Sequence, residues 1–157
     1  MTIVDEIPVA NTPPGGYGTT MPAPILAGCT EPLVHGAPDL RGTWRVISVA
    51  TEGVPQPHHT ALGNVQRVEQ AGDRIVITSA GVVHDMRCDG TFDHGVHDVM
   101  QSDFTTAIDV VATYENGVHV LRPQNIPIDI TVERWRDGEH MLWKYFGFTA
   151  RLERIDA

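Results

Sequence analysis

The sequence predicts an all-β protein, a ten-stranded antiparallel up-and-down barrel that follows an irregular N-terminal arm. From residue 42 onward, short segments alternate apolar and polar residues, as in strands with one buried face. Tight-turn dipeptides such as Asp89-Gly90, Asn116-Gly117 and Asp137-Gly138 separate these segments and favour hairpins. A meander of this many strands closes most easily into a barrel, because closure removes its exposed edges.

The turns divide the chain after residue 41 into ten segments of strand-like length and composition. No stretch has helical periodicity of useful length. The segment 51–62 contains two prolines and is too short for a pair of helices, so we expect a loop there. The predicted strands are 42–50, 63–70, 73–79, 82–88, 91–100, 105–115, 118–123, 128–136, 139–146 and 148–155.

Residues 1–38 are predicted to form a separate arm, followed by a barrel domain over 39–157. Runs such as PPGGYG and MPAPILAG exclude a helix or a central strand, because proline lacks the backbone N–H that both require. We therefore expect the arm to be partly disordered. Ile25 and Leu26 are apolar and favour packing of its second half, 21–38, against the barrel.

Composition limits the partners of the protein. The chain of 157 residues carries a net charge of −9, from 11 basic and 20 acidic residues, so it lacks the clustered positive charge that binds nucleic acids. It has no apolar run long enough for a membrane span or a signal peptide, and we expect a cytoplasmic protein. In that compartment the two cysteines, Cys29 and Cys88, favour free thiols over a disulfide.

Alternation sorts the residues of each strand by face. On the second to fourth strands one face carries the charges and must point away from the barrel, because lone buried charges are unfavourable. This face includes Asp85, for which we predict His94 as a surface partner. The opposite, interior face collects Gln66, Val68, Ile75, Ile77, Val82, His84, Met86 and Cys88.

The same sorting extends the interior to the later strands. The fifth strand alternates poorly, and we expect a bulge near Gly95 with His97 and Val99 facing inward. Arg134 faces inward by parity, but its closeness to the Asp137-Gly138 turn predicts a place at the rim. The remaining interior residues are Ile108, Val110, Ala112, Tyr114, His119, Leu121, Ile128, Ile130, Val132, Met141, Trp143, Tyr145, Phe148, Ala150, Leu152 and Arg154.

This predicted interior is mostly apolar with a few polar groups, which is typical of a small-molecule pocket. A barrel of eight or more strands has room for such a ligand. The polar side chains would orient the ligand by hydrogen bonds, and the apolar ones would cover it. The candidate ligand-binding residues are Gln66, His84, Met86, Tyr114, His119, Arg134, Trp143 and Tyr145.

Two short motifs resemble the calycins, the superfamily of lipocalins and fatty-acid-binding proteins. LRGTWRV at 40–46 is similar to the opening strand of fatty-acid-binding proteins, and TARLERI at 149–155 is similar to their closing strand. The resemblance covers 40–155 and implies a ten-stranded barrel that holds a small apolar molecule. It also implies a structural role for Trp44 and Arg154, with the arginine stacked on the indole at the closed end.

The sequence departs from the fatty-acid-binding proteins at two places. Those proteins have a helix-turn-helix lid between the first two strands, for which 51–62 is too short. They also hold a carboxylate with an Arg-x-Tyr on the last strand, where this chain has Ala150, Arg151 and Leu152. The resemblance therefore implies a pocket in the barrel without that particular anchor.

Binding of a small, largely apolar molecule inside the barrel is the function we expect. A small cofactor-independent enzyme of the cyclase, isomerase or decarboxylase type, with a pocket His and Tyr moving protons, is one alternative. A haem protein with His84 or His119 as axial ligand is another, and a filled barrel that only binds partner proteins is a third. No spacing of cysteine and histidine matches a zinc signature, so no metal site is predicted, and a homodimer stays open.

Overall fold

The computed structural model describes residues 2–127 and 129–156 and shows an all-β protein. Ten strands follow a single antiparallel path, and a two-residue strand, β2, pairs beside it. Within the described ranges, no helix is long and apolar enough to cross a membrane. The strands are β1 (Gly42–Thr51), β2 (Val54–Pro55), β3 (Val65–Ala71), β4 (Arg74–Ser79), β5 (Val82–Arg87), β6 (Val96–Val99), β7 (Ala107–Glu115), β8 (Val118–Pro123), β9 (Val132–Asp137), β10 (His140–Tyr145) and β11 (Phe148–Arg154).

The sheet is an up-and-down barrel that is nearly closed, as predicted. Neighbouring strands follow the order β5-β4-β3-β1-β11-β10-β9-β8-β7-β6. Strand β1 pairs with the last strand, β11, and this seam joins the two halves of the barrel. The path ends at β5 and β6, which lie beside each other without a ladder of backbone hydrogen bonds in the described sheet.

The ten predicted strands are all present, and two of them begin four or more residues later than expected. Strand β6 begins only at Val96, because the residues before it form turns, and β9 begins at Val132. Ile128, where the eighth predicted strand begins, lies outside the described residues. Every residue of 51–62 is described and none is helical: β2 folds back on β1, and turns follow.

Trp44 closes one end of the barrel. Its side chain is fully buried, and its indole Nε1 donates a hydrogen bond to the Leu40 carbonyl oxygen at 2.8 Å. The guanidinium groups of Arg154 and Arg136 lie 5.2 and 5.4 Å from the ring centre, within range of cation–π attraction. Gly42 permits this approach, since a Cβ there would lie 2.7 Å from Arg154 Nε. Arg154 thus has the position relative to Trp44 that the calycin resemblance implies. Its predicted place in the interior is wrong, because at the end of β11 the side chain covers the indole from outside and is 40% exposed.

The N-terminal arm lies on the outer face of β3, β4 and β5. Apart from a short 3-10 turn at Val4–Glu6, the described part of the arm lacks helices and strands. Leu26 packs against Val76 and Val83 of the sheet, and its N–H donates to Glu69 Oε1 at 2.8 Å. The arm therefore forms a second, smaller apolar cluster outside the barrel. Its partial disorder stays a prediction.

The charged outer face of the sheet is buried beneath this arm. Arg74 and Asp85 form a two-point ion pair there, with nitrogen–oxygen distances of 2.6 and 2.9 Å, and their side chains are 3% and 1% exposed. Arg74 also donates to three carbonyl oxygens of the arm. The predicted pair of Asp85 with His94 is wrong, because a carboxylate covered by the arm takes the nearby guanidinium, and His94 pairs with Asp89.

The arm also bridges the opening between β5 and β6. The N–H of Ala10 donates to Asp85 on β5, and the N–H of Thr12 donates to Asp98 on β6, each at 2.9 Å. Thr12 Oγ1 in turn accepts a hydrogen bond from the N–H of Val83 on β5 at 3.0 Å. The arm therefore ties together the two strands at which the hydrogen-bonded path ends.

We predict that Asp85→Ala lowers the free energy of unfolding by about 3–5 kcal/mol, because it leaves the buried Arg74 cation without its carboxylate. The matched control is Glu153→Ala, which removes the partner of the half-exposed Arg45 and should lose less than about 1 kcal/mol. Urea unfolding measures both values, and hydrogen exchange at Ala10 reports release of the arm. Equal losses in the two variants would contradict this account of the pair.

Candidate ligand-binding site in the barrel interior

The barrel encloses an interior cavity of about 130 Å³. Most of the side chains that line it are apolar, and a few polar groups converge on it, as in small-ligand sites. A dry apolar cavity of about 150 Å³ holds a benzene molecule, so this one has room for a ligand of about one ring. The apolar wall includes Ile77, Val82, Val96, Val110, Leu121 and Val132.

Four of the candidate side chains form one row across neighbouring strands. Tyr114 on β7 pairs with His119 on β8, and His119 pairs with Arg134 on β9. Arg134 in turn pairs with Trp143 on β10. Directly paired residues of antiparallel strands share a face, so the four side chains point into the barrel. Gln66 meets this row from β3, where its Oε1 accepts a hydrogen bond from Arg134 Nε at 3.1 Å.

Arg134 is the buried cation of the interior. Only 6% of the residue is exposed, so the predicted place at the rim is wrong: the side chain extends inward over the Trp143 ring, 5.2 Å from its centre. Burial lowers the pKa of the Arg134 guanidinium to about 10, and the group therefore stays charged at neutral pH. Among the described residues, Nη1 has no hydrogen-bond partner.

His119 is a neutral histidine in the wall of the barrel. The residue is fully buried, and neither ring nitrogen has a hydrogen-bond partner within the described part of the chain. Burial, reinforced by the positive charge of Arg134, lowers the pKa of His119 to about 3. The ring of Tyr114 lies 5.8 Å away, centre to centre. His119 therefore has one free N–H and one free acceptor nitrogen at neutral pH.

His84 lines the cavity from β5. Its Nε2 lies 3.0 Å from the Val99 carbonyl oxygen. Because a carbonyl only accepts, Nε2 carries the proton and Nδ1 keeps its lone pair in the neutral ring. Burial lowers the pKa of His84, outweighing the hydrogen bond to Val99, so the neutral form predominates at pH 7. His84 thus offers a ligand an acceptor nitrogen. Tyr145 also lines the cavity, and burial raises the pKa of its hydroxyl, which stays protonated at neutral pH.

The structure brings six of the eight candidate residues to the cavity surface. Tyr114 and His119 lie behind that surface, although they face inward: the Tyr114 hydroxyl accepts a hydrogen bond from Gln70 Nε2 at 2.9 Å. Both belong to the shell that supports the cavity. The six lining residues are Gln66, His84, Met86, Arg134, Trp143 and Tyr145.

The prediction for the fifth strand is wrong in part. Val96 is buried and lines the cavity from β6, whereas His97 is exposed and holds Asp109 at 2.6 Å. Gly95 determines which residues of β6 face inward, because it lets this strand lie close to β7. A Cβ at Gly95 would lie 1.9 Å from the Val110 carbonyl oxygen and force the strands apart. Alternation in the sequence does not reveal so close a backbone contact.

Sequence analysis also missed the loop residues at the open end of the cavity. Met100, Gln101, Asn125, Ile126 and Phe146 line it there. They follow no alternating pattern, since each lies beyond the end of a strand. Their amide groups and apolar side chains form the entrance, opposite the end that Trp44 closes.

A larger groove of about 590 Å³ lies outside the barrel, between the arm and the edges of β5 and β6. Its polar groups include Arg74 with Asp85 and His94 with Asp89, and these already pair with each other. No group of three or more metal-binding side chains occurs among the residues that the structure describes. The interior cavity is therefore the better candidate, because Arg134 Nη1 and Trp143 Nε1 have no hydrogen-bond partner among the described residues.

A scan against protein-family models, a search of curated proteins and a search of solved structures found no match to this chain.

We predict that the stability of the protein depends on pH because His119 is buried in its neutral form. Its pKa is about 3 in the folded protein and about 6.5 when unfolded, so only the unfolded chain gains its proton between these values. The free energy of unfolding should therefore fall by about 1.4 kcal/mol per pH unit below pH 6.5 on account of this residue. His119→Leu should remove that contribution, measured by urea unfolding between about pH 6 and pH 4.

Leu121→Val is the control for this experiment, since it alters packing on the same strand face and removes no titratable group. It should keep the wild-type slope while lowering stability at every pH. A slope unchanged by His119→Leu would show that the folded protein protonates this ring freely.

Proposed function

We propose that the protein binds a small, largely apolar molecule inside the barrel. The observation that carries this proposal is the interior cavity of about 130 Å³, which has an apolar wall and a few polar side chains turned into it. Empty apolar space in a protein forfeits dispersion contacts, so filling it with a matching ligand is favourable. The entrance through the loops after β6, β8 and β10 gives such a ligand a way in.

We also propose that the barrel is a calycin of the kind that fatty-acid-binding proteins represent. The Gly-x-Trp at Gly42 and Trp44, the stacked Arg154 and the ten-strand meander support this assignment. The helical lid of those proteins has no counterpart in 51–62, all of which the structure describes. The arm on β3–β5 is an addition to the barrel.

An enzyme remains the second candidate, and one observation favours it. His84 and Tyr145 both line the cavity, and the neutral His84 keeps an acceptor nitrogen that could take a proton from a substrate. The cavity volume disfavours the haem alternative, because a porphyrin is several rings larger than the space available. Loss of turnover in His84→Gln, with binding retained, would identify an enzyme.

Native mass spectrometry of the purified protein, compared with its denatured spectrum, tests the proposed function directly. Extra mass that disappears on denaturation would show a captured small molecule and give its size. A mass near that of haem together with a Soret absorbance band would instead favour the haem alternative. A spectrum without extra mass would count against tight binding. A weakly held ligand, which is lost during purification, is then tested by titration.

Toluene should bind the wild-type cavity, and Val132→Phe should weaken that binding by about tenfold or more, since the added ring occupies the space of the ligand. The matched control is Ile47→Phe, which adds a ring at a position that is 41% exposed on β1. A ligand-observed NMR titration measures both variants, and thermal melts check that they fold. Unchanged binding in Val132→Phe would place the toluene site elsewhere.

A further inference from the structure

The interior cavity contains a positive charge that no described residue neutralises. Arg134 lines the cavity, and its Nη1 has no partner among residues 2–127 and 129–156. None of the salt bridges in those ranges includes the Arg134 guanidinium, and no described Asp or Glu lines the cavity. A buried cation without an anion is strongly unfavourable, so the barrel would gain from a negative charge at this point.

The neighbours of Arg134 in the same row also have unpaired donors. Trp143 Nε1 is buried without a partner within the described chain, and so are both ring nitrogens of His119. These residues flank Arg134 on β10 and β8. Trp143 lines the cavity, whereas His119 lies behind its surface, so the unmatched atoms that a ligand can reach are the N–H groups of Arg134 and Trp143. A ligand that satisfies them must present acceptors.

Gln66 orients the guanidinium toward the cavity. Gln66 Nε2 donates to Asn64 Oδ1 at 3.1 Å, which leaves its Oε1 to accept from Arg134 Nε, also at 3.1 Å. Arg134 is thus held at one edge while Nη1 stays free. A guanidinium held in this way presents a planar pair of N–H groups, which match the two oxygens of a carboxylate.

The charge of the site limits the ligand to a single negative charge. Arg134 is the one cation that lines the cavity in the described structure, since His84 is neutral at pH 7. The protein as a whole carries a net charge of −9, which repels multiply charged anions. A monoanion balances Arg134, whereas a phosphate ester would bring excess charge into an apolar wall.

We propose that the ligand is a small monocarboxylic acid, whose carboxylate lies on Arg134 and whose single ring or short branched chain lies against the apolar wall. The volume of about 130 Å³ favours such a small acid over one with a long acyl chain. This inference rests on the proposed function, because it names the chemical class of the molecule that the cavity binds.

Benzoate and its neutral isostere benzamide test the charge of the ligand. A ligand-observed NMR titration at pH 7 should show that the wild type prefers benzoate by about tenfold or more, equivalent to about 1.4 kcal/mol. Arg134→Met should abolish this preference and leave benzamide affinity within about twofold, because the ring contacts remain. Arg134→Gln, which keeps a polar group at this position without the charge, should abolish the preference as well.

Arg151→Met is the control, since it removes the same charge from an exposed ion pair with Asp137 outside the barrel. It should keep the preference for benzoate. The melting temperature gives a second readout. The melting temperature of Arg134→Met should not fall below that of the wild type, because the substitution removes an uncompensated buried charge. If Arg134 instead stabilised the fold, the melting temperature of this variant would be lower than that of the wild type.

Three results would overturn the inference. These are equal affinities of the wild type for benzoate and benzamide, survival of the preference in Arg134→Met, and a marked loss of stability in that variant. Binding of toluene, which has no carboxylate, distinguishes failure of this inference from failure of the proposed function. If toluene binds and benzoate has no advantage, the cavity binds ligands but not as an acid site; if none of the three binds, both proposals fall.

Discussion

Pairing of β1 with β11 is the interaction on which the barrel depends. Without this seam the sheet would divide into two separate meanders, with β1 at the edge of one and β11 at the edge of the other. Trp44 stabilises the seam from inside, because its ring packs beneath Arg154 of the opposite strand and its N–H is satisfied by Leu40. The cavity exists because this end is closed by large side chains while the other is closed only by loops.

Two buried arginines show how the same residue type serves different ends in one fold. Arg74, outside the sheet, is surrounded by acceptors, since Asp85 and three arm carbonyls take its donors. Arg134, inside the barrel, has among residues 2–127 and 129–156 a single hydrogen-bond partner, the amide oxygen of Gln66, and its Nη1 has none there. The first arrangement is complete by itself and holds the arm in place. The second leaves one donor without a partner in the described structure, and it is the observation on which the proposed carboxylate site rests.

Strand alternation and turn dipeptides were enough to predict the barrel, its strand count and most inward-facing residues, because these follow from local geometry with a period of two. The same pattern could not show what covers a face. The charged face with Arg74 and Asp85 points away from the cavity, as predicted, but it is buried by a Pro- and Gly-rich arm that has no periodicity. Gly95 and Arg134 were misjudged for related reasons, one a close backbone contact and the other a long side chain reaching back from a turn.

The seam between the first and last strands also sets an order of events while the chain is synthesised. The arm and strands β1 to β5 are complete by Arg87, and their pairings are between neighbours in sequence. The other edge of β1 can pair only after Phe148–Arg154 has been synthesised, and contacts of such long sequence separation form slowly. A nascent chain therefore carries an open half-sheet with a free edge, which is prone to wrong pairing. Because the arm docks on this early half, it can cover the outer face before the barrel closes.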